Sequence, residues 1–154
     1  MIVLGLMSGT SMDGLDCCLS KIDIENSKLR FNIIDSCTIA YKDETKKIIY
    51  DSIFHKKYSY KFLNEYLGNI YVEIINKFLR NRKVDFISNH GQTISHLDKK
   101  YSIQICSPEI LSNKFKVPII YNFRNRDIEN GGNGAPLMPL LDWYLFKNED
   151  VIAI

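Results

Sequence analysis

Three short stretches hold most of the side chains able to do chemistry. The first is Ser8-Gly9-Thr10-Ser11-Met12-Asp13-Gly14-Leu15-Asp16. Glycine permits positive φ and close backbone approach. Thr10 and Ser11 add hydroxyl donors, and successive N–H groups in such a turn form an anion-binding concavity. Asp13 and Asp16 offer the oxygen ligands that magnesium takes, directly or through water. The stretch has no Gly-Lys-Ser/Thr ending, so it is not a Walker A loop, and it is not a dinucleotide fingerprint. A tight hairpin, with glycine for geometry and serine for turn chemistry, accounts for the same residues.

The second stretch, Asn89-His90-Gly91-Gln92-Thr93, follows a predicted strand, Val84 to Ser88. Polar residues at strand ends of α/β sheets often face a ligand crevice. His90 there either orients a substrate or bonds nearby backbone; His55 and His96 have weaker contexts. The third is Arg124, Arg126 and Asp127, followed by Gly131-Gly132-Asn133-Gly134-Ala135-Pro136. An aspartate beside arginines is a simple salt bridge, or a carboxylate kept ionised for use as a general base. Three glycines in four residues mark a backbone that bends sharply or admits a ligand. Each stretch is ambiguous alone; together they favour a binding crevice.

The elements that must position these stretches follow from hydrophobic patterning. Ile2–Leu6 and Leu15–Ile24 flank the first turn as a hairpin. A third strand runs from Leu29 to about Tyr41, after the polar break Glu25-Asn26-Ser27. Two helices come next. In the second, Phe62, Leu63, Tyr66, Leu67, Ile70, Tyr71, Ile74, Ile75, Phe78 and Leu79 recur at helical spacing, with Ser59 as its cap. Ile94 to Ile105 reads as two short strands around Asp98-Lys99-Lys100. Ser107-Pro108-Glu109 opens a helix, Val117–Tyr121 is a strand, and Leu137–Phe146 a helix. Val151–Ile154 looks like the opening of a buried strand. This order suits one α/β domain with a mixed sheet over residues 1–154.

Composition narrows the function classes. The net charge of +2 over 154 residues argues for neither nucleic acid nor an anionic membrane surface. Lys46-Lys47 and Lys56-Lys57 sit among acids and aromatics, as on a solvated helix face. No segment reaches the roughly 18 apolar residues of a membrane span, and the N-terminus lacks the features of a signal peptide. Cys17, Cys18, Cys37 and Cys106 match no zinc or redox spacing, so reduced thiols in a cytoplasmic protein are expected.

Gly5-Leu6-Met7-Ser8-Gly9-Thr10-Ser11-Met12-Asp13-Gly14-Leu15-Asp16 resembles the N-terminal signature of the anhydro-N-acetylmuramic acid kinases. His90-Gly91-Gln92-Thr93 resembles their second motif. Phe123-Arg124 with Asp127, then Gly131-Gly132, Gly134-Ala135-Pro136-Leu137 and Pro139, resembles their third. The sequence departs at Asn89, Cys106, Asn122 and Asn133, where the family tends to have serine, glycine, aspartate and glutamine. The resemblance implies an actin-like, sugar-kinase (ribonuclease H-like) lobe, incomplete at its C-terminus. It implies ATP-dependent phosphorylation of 1,6-anhydro-N-acetylmuramic acid, with water opening the anhydro ring, in cell-wall recycling. Gly9, Thr10, Ser11, Met12, Asp13, Gly14, Leu15 and Asp16 would meet the ATP phosphates, with Asp13 on Mg²⁺. His90, Gln92, Arg124, Gly132 and Gly134 would meet the sugar, and Asp127 would be the base that activates water. Family members continue beyond this point with the rest of the phosphate site and the adenosine pocket, so the chain is expected to be a fragment or part of a split gene, or to be completed by a C-terminal partner polypeptide; a homodimer is the other expected assembly. A non-catalytic or partner-binding lobe, and a small independent hydrolase or binding module, are the competing readings.

Overall fold

A computed structural model describes residues 1–25, 28–148 and 150. The three N-terminal strands, β1 (Ile2–Ser8), β2 (Gly14–Glu25) and β3 (Lys28–Ala40), form an antiparallel meander. Helices α1 (Asp43–His55) and α2 (Tyr60–Leu79) follow, then the strands β4 (Phe86–Leu97) and β5 (Tyr101–Ile105). Next come α3 (Pro108–Phe115), β6 (Ile119–Tyr121), α4 (Phe123–Glu129) and α5 (Met138–Phe146). The sheet order is β3-β2-β1-β4-β5, with β6 also on β4. β4 runs parallel to β1 and to β6. This is the mixed α/β sheet that the patterning predicts.

The chain divides into two compact units. One comprises Met1–Ser95 and Ile103–Asn122; the other comprises His96–Ser102 and the chain from Phe123 on. The core of the first unit is most of the α2 face read from the sequence, with Phe62 exposed instead of buried. Leu63, Leu67, Tyr71, Ile75 and Phe78 are buried with the sheet residues Leu4, Leu6, Leu15, Leu19 and Ile87, and with Leu111 of α3. Burying such side chains contributes about 1.5–3 kcal/mol each. Ser59 caps α2, accepting from the Phe62 N–H at 3.2 Å, and Ser107 caps α3, accepting from Ile110 at 3.3 Å. Helices α1, α2 and α3 all stop on a left-handed cationic residue: Lys56, Arg80 and Lys116. The side-chain charge at the negative helix end offsets part of the cost of positive φ in a residue with a Cβ.

Three sequence readings need correction. β4 does not end at Ser88: it runs to Leu97, and Asn89–Thr93 lies inside it. Asn122–Asp127, given no element by the patterning, is mostly helical, since α4 occupies Phe123–Glu129. The strand read at Val117–Tyr121 is only Ile119–Tyr121. The strand read at Val151–Ile154 lies outside the described residues. All four cysteines are free; Cys17 is buried while its neighbour Cys18 is partly exposed, as alternation along a strand requires.

Candidate active site

The Gly9–Asp13 turn joins the paired strands β1 and β2. The Met12 N–H donates to the Gly9 carbonyl at 3.2 Å, and the Tyr41 N–H donates to the Asp13 carbonyl at 2.9 Å. Thr10, Ser11 and Asp13 are exposed, whereas Gly14 and Leu15 are buried and begin β2. Leu15 is fully enclosed in the core. Only its backbone can serve a ligand. The Ser11 hydroxyl donates to Asp13 Oδ1 at 2.8 Å. That bond, with the Asp13 and Gly14 amides and Lys46, holds the Asp13 carboxyl below the usual aspartate range. Asp16, on the exposed face of β2, accepts from the Thr38 hydroxyl.

The second motif reaches this turn through β4. Pairing with β1 runs Leu6 with Asn89 but Ser8 with Gln92, so His90 and Gly91 together oppose Met7. Such a bulge needs an unusual backbone, and Gly91 supplies it at φ 75°. Beyond the bulge Gln92 is fully buried. Its Nε2 donates to the Gly9 carbonyl at 2.9 Å and to the Thr93 carbonyl at 3.1 Å, while its Oε1 accepts from Ser8 Oγ at 2.6 Å. Gln92 therefore ties the turn to β4. Asn89 is also buried, and its Oδ1 accepts from the Gly91 N–H at 3.2 Å.

His90, within the bulge, lines a polar cavity of about 260 Å³ whose wall includes Asn64, Asn89, Gln104, Glu109 and Tyr121. His90 Nδ1 lies 2.9 Å from the Gly91 carbonyl. Cys106 also lines this cavity; burial, opposed by a hydrogen bond with Asn89, pushes its thiol up to about 12. It stays protonated, a packing group rather than a nucleophile. The sequence reading missed Asn64, Gln104, Glu109 and Tyr121, because nothing local links residues brought together from α2, β5, α3 and β6.

In the second unit the glycine loop folds over the end of α4. The Gly134 N–H donates to Asp127 Oδ2 at 2.7 Å, and the Gly132 N–H donates to the Asp127 carbonyl at 2.9 Å. A Cβ on residue 132 would collide with the Asp127 carboxylate. Gly134 has φ 81°, and a Cβ there would stand 2.8 Å from Ile128 Cδ1. Gly132 leaves room for the aspartate, while Gly131 and Gly134 serve positive φ. Asp127 also borders a cavity of about 390 Å³ with Phe123, Arg126, Asn130, Leu137 and Leu140. Arg126, expected beside the carboxylate, pairs with Glu129 at 3.3 Å. Partial burial draws the Arg124 guanidinium below its usual range. Among the described residues, no three His, Cys, Asp or Glu side chains gather as a metal centre.

The first unit carries a mixed α/β sheet with a glycine-serine hairpin at the end of its first strand, and the second an aspartate wrapped by a glycine loop. Residues 1–154 match the family model described as anhydro-N-acetylmuramic acid kinase, and the chain belongs to that family. Among curated relatives carrying that name, those of Crocosphaera subtropica and Pelagibacter ubique are each 36% identical. The first alignment covers 96% of this chain and 41% of the relative; the second covers 96% and 42%. The relative from Caldanaerobacter subterraneus is 30% identical, over 99% of this chain and 43% of its own. The chain thus spans about two fifths of the length of the curated relatives it matches. Among solved structures, Thermus thermophilus RuvC aligns at 10% identity with a TM-score of 0.46, over 94% of this chain and 78% of that one.

Proposed function

We propose that this chain supplies the N-terminal part of a kinase that phosphorylates 1,6-anhydro-N-acetylmuramic acid with ATP while water opens the anhydro ring, giving N-acetylmuramic acid 6-phosphate. The observation that carries the reading is the joining of two motifs: Gln92 of the second bonds the backbone of the first, next to the exposed Thr10 and Ser11. In this reading Gly9–Asp16 receives the ATP phosphates. Phosphoryl transfer asks little covalent chemistry of a protein and much positioning and charge stabilisation.

Magnesium commonly takes one or two carboxylates and completes its shell with phosphate and water. Asp13, exposed and held in its anionic form, fits that demand. The ion, when bound, neutralises phosphate charge. Asp127 takes the proton from the attacking water, and the Gly134 N–H fixes the carboxylate oxygen not used for that transfer. His90 and the cavity beside it receive polar groups of the sugar; Arg124, in the second unit, is by the family resemblance a sugar-contacting residue too. Gly132 and Gly134 serve the sugar by shaping the Asp127 loop. The remaining contacts to ATP and sugar belong to the part of the family fold that its longer relatives carry.

The test is to incubate the chain with the anhydro sugar and MgATP, alone and with the C-terminal portion of a curated relative. Phosphorylated sugar should form only with both polypeptides. Turnover of a few per second by the chain alone, ordinary for an enzyme, would contradict this division of labour, and absence of product in every combination would contradict the activity.

A further inference from the structure

A buried chain of hydroxyls runs from the core of α2 to the Gly9–Asp13 turn. Tyr71 of α2 is fully buried, and Tyr41, just past β3, is 4% exposed. Their hydroxyl oxygens lie 3.3 Å apart. Tyr41 donates to Ser8 Oγ at 3.0 Å. Ser8 Oγ in turn lies 2.6 Å from Gln92 Oε1 and 3.0 Å from the Gly14 carbonyl. Gln92 passes the connection to the Gly9 carbonyl. The chain therefore grips the residue that opens the turn and the residue that closes it.

We infer that Tyr41, backed by Tyr71 and acting through Ser8 and Gln92, is a positioning residue that holds the Gly9–Asp13 turn in its phosphate-receiving shape; the inference rests on the reading of that turn as the ATP-phosphate hairpin. Each hydroxyl has one proton. With Tyr41's committed to Ser8, Ser8's proton reaches one acceptor at a time, and the Gln92 amide hydrogens end on carbonyls. Burial pushes the Tyr41 phenol up to about 12 and raises Tyr71 well above its ordinary value, so both keep their protons at neutral pH. It is a fixed scaffold and not a proton switch. Apolar filling alone would be served by phenylalanine at both positions, since a buried hydroxyl costs stability unless bonded. Here the bonds lead to the turn.

The experiment uses the full chain labelled with ¹⁵N and completed with the unlabelled C-terminal portion of a curated relative, MgATP as the probe, and the variants Tyr41→Phe, Ser8→Ala and Tyr71→Phe. In the free proteins, Tyr41→Phe and Ser8→Ala should move the amide resonances of residues 9–14 while those of α2 stay in place; Tyr71→Phe should move them less. MgATP should shift the turn amides of the wild type. Its dissociation constant should rise about three- to tenfold in Tyr41→Phe, the effect of one neutral hydrogen bond. A Tyr41→Phe protein with lowered melting temperature but unmoved turn resonances and unchanged affinity would reduce the network to ordinary packing and overturn the inference. If the free variants respond as expected but MgATP leaves the wild-type turn unperturbed, the phosphate reading itself falls, and the positioning role falls with it.

Discussion

Asp127 owes its setting to the missing side chain of residue 132. The Asp127 carboxylate fills the space a Cβ would need, and the Gly134 N–H holds it there. Gly132→Ala should destabilise the chain by about 1–3 kcal/mol, the usual range for overpacking. The cost should shrink in an Asp127→Ala background, with a coupling of about 0.5–3 kcal/mol. Urea unfolding of the four proteins measures it; equal costs in both backgrounds would place the collision elsewhere. Asp13 offers a second check at this scale. Ser11 is the largest cause of its lowered pKa. A carboxyl lowered on folding adds stability above its unfolded pKa and loses it as pH falls through the folded one. Ser11→Ala should therefore raise the Asp13 titration toward the ordinary aspartate value in a carbon-detected NMR titration. An unchanged midpoint would show that the hydroxyl does not set it.

At the scale of elements, the bulge in β4 decides which side chains face the cavity and which face the turn. Gly91 sits at positive φ, and a Cβ on it would meet the Ile105 carbonyl at 3.1 Å. Gly91→Ala should cost about 1–2 kcal/mol, the penalty for a left-handed residue with a side chain. It should appear as a lower denaturation midpoint at constant m-value; an unshifted midpoint would show that the bulge relaxes freely. The same element shows where sequence reading runs out. The α2 face and the Ser59 and Ser107 caps were legible because periodicity and capping are local signals. Asn89–Thr93 looked like a strand end because polar residues in a row imitate a loop. Their partners are far away in sequence: Ser8 bonds Gln92 across 84 positions. Tyr71 read as core, which it is, but its hydroxyl contact to Tyr41 has no sequence signature. Helix α4 escaped notice because seven residues, Phe-Arg-Asn-Arg-Asp-Ile-Glu, are too short to show a period.

At the scale of the whole molecule, α5 stands out. Its sequence, Met-Pro-Leu-Leu-Asp-Trp-Tyr-Leu-Phe, is apolar nearly all round, a pattern typical of buried helices. Yet Met138, Leu140 and Trp143 are 57%, 74% and 58% exposed. Exposed apolar surface of this kind favours association. The purified chain should gain apparent mass with concentration in light scattering, and Leu140→Lys should reduce the gain; a constant monomer mass would contradict this. Family membership and the 41–43% coverage of the longer relatives make activity a property to test with the remaining portion supplied. The most direct measurement is turnover of Asp127→Asn in such a completed enzyme. The substitution is nearly isosteric, so fold and MgATP binding should persist. The amide cannot accept the proton from water, so turnover should fall by about 10²–10⁴-fold. A variant that keeps more than about a tenth of the wild-type turnover would contradict a base of that strength.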